Sequence, residues 1–182
     1  AKERRFTGEY GLPEADAAFM AESLPVALYF EECVKNGAAP LRAANWIRTE
    51  VFRVMNEKGL SMDSFPVKPS VLAELVALVE GGKLSTTVAR EIFAHLAEGR
   101  SLKDALPAAG ASPGGLSAED VEKMVDRVLL ANGDVVEEIR SGRDPKGKKI
   151  KFLTGLVMKE ARGQADAAAV SGILERRLGE GR

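Results

Sequence analysis

The feature that most restricts this chain is the regularity with which helix-start and helix-stop residues punctuate apolar residues recurring at three- and four-residue spacings. Pro13, Pro25, Pro40 and Pro69 each head such a segment, where a missing N–H and a fixed φ suit the first turn. Asn36-Gly37, Lys58-Gly59, Gly81-Gly82 and Asn132-Gly133 close them. Between Pro40 and Lys58, Leu41, Ala44, Ile47, Val51, Val54 and Met55 form one apolar stripe, which predicts a single long helix. Further helices are predicted after Ser85 or a neighbouring Thr, after Ser101, and after Ser117, whose Asp120 sits in the reciprocal capping-box position. The last is predicted to be capped by Asp166, with Val170, Ile173, Leu174 and Leu178 inward. Strand patterns are nearly absent. The expected fold is all-α and multihelical, a helical connector bundle followed by a small C-terminal helical bundle. Gly110-Ala111-Ser112-Pro113-Gly114-Gly115 has the most flexible composition in the chain. A hinge is expected there, dividing a connector domain, 1–113, from a C-terminal tail domain, 114–182.

Charge distinguishes the tail. Lys plus Arg (26) and Asp plus Glu (27) nearly cancel over the chain. From Arg140 to Gln164, however, eight basic residues face only Asp144 and Glu160, a local charge of +6 that leaves about −7 on the other 157 residues. Such segregation suits a polyanion-facing patch on an acidic body; the simpler alternative is a solvated helix face. The run Arg143-Asp144-Pro145-Lys146-Gly147-Lys148-Lys149-Ile150-Lys151 leads into a segment with helical period. On a helix, Lys148, Lys151, Gly155, Lys159 and Arg162 share one narrow face, and Ile150, Leu153, Val157 and Ala161 collect opposite. Gly155 would either let a ligand approach the backbone or serve a helix–helix contact, for instance near Gly172.

Catalytic signals are missing. No Gly-x-x-x-x-Gly-Lys-Ser/Thr loop occurs, and no nucleophile has a plausible His partner. His95 is the only histidine and Cys33 the only cysteine, which excludes an internal disulfide and a multi-cysteine zinc site. His95 reads as structural or exposed, Cys33 as a small apolar residue, and Trp46 as a core anchor rather than a base-stacking platform. The pairs Glu31-Glu32 and Glu137-Glu138 read as solvated faces. No run approaches the length of a membrane span. The chain begins with Ala1 and enters ordered-looking sequence at once, as if an upstream region were missing.

Tyr10-Gly11-Leu12-Pro13, Tyr29-Phe30-Glu31, Asn45-Trp46, Gly82-Lys83-Leu84-Ser85, Ala89-Arg90-Glu91-Ile92-Phe93, and Phe152-Leu153-x-Gly155-x-Val157-Met158-Lys159 with Gly163 occur in order. This succession resembles the C-terminal half of the B subunit of the bacterial aspartyl/glutamyl-tRNA amidotransferase, and the last third also resembles the free-standing YqeY-like proteins. The resemblance implies a parent that amidates misacylated Asp-tRNA(Asn) or Glu-tRNA(Gln). Its ATP- and magnesium-dependent chemistry would lie in an N-terminal catalytic domain outside this chain, with ammonia supplied by an amidase-type A subunit in the company of a small C subunit. It also implies a cytoplasmic, non-catalytic fragment without its own cofactor, whose tail grips the tRNA body. The candidate tRNA-binding residues are Arg143, Lys146, Lys148, Lys149, Lys151, Gly155, Lys159 and Arg162, with Gln164 peripheral. A protein–protein module with an incidental basic surface is the alternative, and an unrecognised stand-alone enzyme the third reading.

Overall fold

A computed structural model describes residues 2–111 and 116–179. Its described residues contain helices and turns and no strand, so the fold is all-α. The chain forms two compact units, one of Ala1–Glu80 with Ala89–Ala105 and the other of Gly81–Val88 with Leu106–Arg182. The 113/114 boundary expected from composition lies outside the described residues, as does most of the expected hinge.

The first unit opens with α1 (Lys2–Tyr10) and α2 (Glu14–Ala21). No start signal marks α1, and sequence reasoning began the helices only at Pro13. Its anchor is Phe6, fully buried, in a triangle of rings with Phe30 at 5.0 Å and Tyr10 at 5.8 Å, themselves 5.6 Å apart. Next come α3 (Leu24–Lys35), α4 (Pro40–Trp46), α5 (Phe52–Lys58) and α6 (Pro69–Glu80). Glu31, on α3, is held by Lys2 and Arg5 and is not a solvated face. Cys33 is fully buried, and burial followed by the Glu32 charge pushes its thiol up to about 12. The Tyr29 hydroxyl donates to the Val67 carbonyl at 2.7 Å, and burial drives that phenol far above its ordinary range.

The long helix predicted from Pro40 is present but interrupted. Ile47–Val51 forms a π-helical turn between α4 and α5, closed by the Phe52 N–H on the Ile47 carbonyl. The extra residue shifts helical phase, so a stripe drawn at one constant period cannot stay buried at both ends. Ile47, Val51, Val54 and Met55 are inside, while Leu41 is exposed. The shift also turns Glu50 inward, where Arg53 and Arg90 reach its carboxylate at 2.9 and 3.0 Å. Trp46 is buried against Phe93, as a core anchor should be.

Then follow α7 (Thr86–Ala97), α8 (Leu102–Ala108), α9 (Ala118–Ala131), α10 (Gly133–Arg140), α11 (Lys148–Glu160) and α12 (Ala167–Gly179). The capping box at α9 forms in both directions, with Asp120 N–H on Ser117 Oγ at 3.1 Å and Ser117 N–H on Asp120 Oδ2 at 3.2 Å. The Ser117 hydroxyl, which also donates to Asp120 Oδ2 at 2.6 Å, and then the Ser117 N–H lower the Asp120 pKa. α9, α11 and α12 close a core of Val121, Val125, Leu153, Val157, Val170 and Leu174. That core determines which face of α11 is left outside.

Candidate nucleic-acid interface

The outward face of α11 is set at both ends by unusual backbone. At its start Gly147 takes the left-handed conformation, φ 62°, and offers no capping side chain. Asp144 supplies the cap from further back, its Oδ2 accepting the Lys149 and Ile150 N–H groups at 3.0 and 3.1 Å. One of the two acidic residues in the basic run is thereby committed to the helix terminus. The other, Glu160, accepts from Arg127 Nε at 2.9 Å.

Leu153, Val157 and Ala161 are buried in the core, and Ile150 is half-buried. The opposite side carries Lys148, Lys151, Gly155 and Lys159, all exposed, as are Arg143 and Lys146 in the preceding loop. Among the described residues, none of these cations, nor Arg162, forms an ion pair. The cations of the neighbouring α9 and α12 behave differently. Lys123 pairs with Glu119, Arg176 with Glu122, and Arg177 with Asp126.

Two candidates sit differently from the expected stripe. Lys149 is half-buried and engaged by Glu138, so it stands apart from the free cations, and Glu138 is not merely solvated. Arg162 lies beyond the helix, because α11 ends at Glu160 and the chain turns left-handed at Arg162, φ 51°. Arg162 is exposed, but the turn directs it rather than the helical phase.

That turn is fixed by close approach. The Gly163 carbonyl accepts the Ser85 N–H at 2.6 Å, and a Cβ at Gly163 would lie 2.6 Å from Val88 Cγ2 and 2.7 Å from Ser85 Oγ. A Cβ at Gly82 would likewise meet the Asp166 Cβ at 2.9 Å. Gly163 and Asp166 are thus clamped to the Gly82–Ser85 segment wherever glycine leaves room. Lys83 projects from that segment, exposed, and sequence reasoning passed over it. Its only signal was membership of Gly82-Lys83-Leu84-Ser85, since the basic cluster lies some sixty residues downstream.

Gly155 is exposed, and an added Cβ there meets nothing within 4 Å, as is also true of Gly172. The alternative of a helix–helix contact at Gly155 is therefore not realised among the described residues. The arrangement has an electrostatic cost as well. The first turn of α11 holds no acidic residue and carries Lys148, Lys149 and Lys151, although the positive end of a helix dipole disfavours cations.

Exposed cations with no intramolecular partner, arrayed on a core-anchored helix, define an all-helical chain with a surface suited to polyanions. The chain belongs to the GatB family: the model of the GatB domain, shared with YqeY, matches residues 28–178. It is 36% identical over 181 residues to the B subunit of the aspartyl/glutamyl-tRNA(Asn/Gln) amidotransferase of Trichlorobacter lovleyi, covering 97% of this chain and 37% of that protein. The corresponding B subunit of Thermosynechococcus vestitus is 37% identical over 184 residues, covering 99% of this chain and 35% of that protein. The chain thus spans little more than a third of the length of these relatives and corresponds to their C-terminal region.

Among the described residues, no three His, Cys, Asp or Glu side chains gather where they could hold a metal ion. Nor is any described helix long and apolar enough to cross a membrane.

Proposed function

We propose that this chain is the tRNA-binding and connecting part of the B subunit of an aspartyl/glutamyl-tRNA amidotransferase, acting in the cytoplasm. Lys148, Lys151, Lys159 and Arg162, with Arg143 and Lys146 beside them, hold the sugar-phosphate backbone of Asp-tRNA(Asn) or Glu-tRNA(Gln). The parent's catalytic domain, with ATP and magnesium, then amidates the misacylated residue using ammonia from the amidase-type A subunit. The carrying observation is the sorting of charge: cations on α9 and α12 are spent on carboxylates of the same chain, while those of α11 and its flanking turns, Lys149 apart, are left open. Contacts of this kind read the shape of folded RNA through phosphates and 2′-hydroxyls more than through base edges.

A salt titration of tRNA binding tests this. Neutralising about four phosphates gives a slope of log affinity against log salt of roughly −3 to −4. The variant carrying Lys148→Glu, Lys151→Glu, Lys159→Glu and Arg162→Glu should lose most of that dependence together with the affinity. A flat response in the wild-type chain would refute the reading.

A second reading applies to the first unit and rests on its own observation. Leu24, Leu28 and Leu41 expose 62%, 52% and 54% of their surface, and Leu24 and Leu28 share a face of α3 at i, i+4 spacing. These side chains suit contact with the partner A or C subunits. If tRNA affinity survived the charge reversal, that protein–protein role would be the better account of the whole chain.

A further inference from the structure

The outward face of α11 carries one large side chain that is not a cation. Phe152 is 52% exposed and pairs with no other ring among the described residues. Lys148, Phe152, Gly155 and Lys159 follow one another at spacings of 4, 3 and 4, which places them within about 60° of arc on the helix. The ring therefore sits in the middle of the row of positive charge, with Lys151 adjacent. On its C-terminal flank, Gly155 presents no side chain, and nothing lies within 4 Å of where one would begin.

A lone exposed phenylalanine needs no special account, but this setting does. Phe and Gly are both weaker helix formers than the Ala, Lys or Glu that would stabilise an exposed helix face. Two such residues on one face, the ring outside the core cluster and the glycine meeting nothing, break a local rule in the way functional sites do. Flat apolar area, flanking cations and open backbone are also the elements with which proteins hold unpaired bases of RNA.

We propose that the Phe152 ring is a stacking platform for an unpaired base of the bound RNA. Lys148, Lys151 and Lys159 neutralise the phosphates on either side, and Gly155 leaves room for the nucleotide beside the ring. The proposal deepens the reading of this face as a tRNA site and rests on it.

The test compares wild type, Phe152→Ala, Phe152→Leu and Phe152→Trp. Each is titrated with an unmodified tRNA transcript and with a blunt, fully paired RNA duplex at several salt concentrations, and thermal unfolding is followed alongside. Loss of a stacked base should weaken tRNA binding by Phe152→Ala about 5- to 150-fold with an unchanged salt slope. Phe152→Trp should keep the affinity, Phe152→Leu should stay weak despite its apolar area, and the duplex should bind all four alike. Four results would overturn the proposal: Phe152→Ala within twofold of wild type on tRNA, Phe152→Leu as tight as wild type, an equal loss on the duplex, or a loss confined to binding of partner proteins. A flat salt response in the wild type removes the tRNA reading and this proposal together. A steep wild-type slope with an indifferent Phe152→Ala removes only this proposal.

Discussion

Replacing Gly155 by alanine should move stability and RNA affinity in opposite directions. Gly155 lies inside α11 and outside the left-handed region, so alanine can adopt its backbone without strain. The new Cβ meets no atom within 4 Å, so no steric penalty offsets the gain in helix propensity. That gain is about 1 kcal/mol, which in a unit of under a hundred residues raises the unfolding midpoint by roughly 4–8 °C. The same methyl group stands on the outward face between Phe152 and Lys159, where the proposed RNA ligand would come close. Thermal unfolding by circular dichroism and tRNA binding at fixed salt, measured on one preparation, give both signs. Affinity should fall while the salt slope stays as in the wild type, because no charge has changed. A destabilised Gly155→Ala chain would mean that the space beside Gly155 is filled, contrary to the geometry. A stabilised chain with unaltered affinity would mean that RNA does not approach the backbone there.

Gly163→Ala should do the reverse, losing stability and affinity together. Its Cβ would press on Val88 and Ser85 at a φ of 68°, a strain of roughly 1–3 kcal/mol, and relief would move Arg162; denaturant unfolding and binding measure the two losses. Lys148→Gln with Lys151→Gln removes two cations from the first turn of α11 and should stabilise the helix by about 0.3–1 kcal/mol each at low ionic strength. The same pair should reduce the salt slope by about one per residue, so stabilisation without loss of salt sensitivity would contradict the assigned role. Cys33, with its thiol pushed up to about 12 by burial, should resist alkylation at pH 8 in the native chain and react on unfolding; rapid native labelling would show the site to be open.

Much of the fold was legible because local rules and tertiary packing agree along most of the chain. The Ser117–Asp120 box, the Asp166 cap on α12 and the inward residues of α11 and α12 appear where periodicity and capping chemistry place them. The misses have identifiable causes. α1 carries no start signal and depends on Phe6 packing against Phe30, a partner two dozen residues away. The π-helical turn after Trp46 is invisible to a constant period, and with it went the exposure of Leu41 and the burial of Glu50. Within the candidate site, the row from Lys148 to Lys159 follows from spacing alone. The pairing of Lys149 with Glu138 and the clamp of Gly163 on Ser85 join residues whose proximity no periodicity encodes.

Why α11 keeps its outward cations unpaired is a question of supply as much as geometry. Asp144 and Glu160 are the only acids in the run, and both are engaged elsewhere, on backbone N–H groups and on Arg127. Glu138 is taken by Lys149. Glu119, Glu122 and Asp126 of α9 meet Lys123, Arg176 and Arg177 instead. Each surface pair contributes little to stability, about 1 kcal/mol or less, so their effect on the fold is secondary to their effect on the field. By engaging carboxylates away from α11, they leave its outward potential uncompensated at short range, where salt screens least. The dipole penalty at the start of α11 and the glycine in its middle both oppose stability, and under the proposed function an ordered polyanion laid along this face would offset the first and make use of the second. A helix selected only to pack its unit would have needed neither.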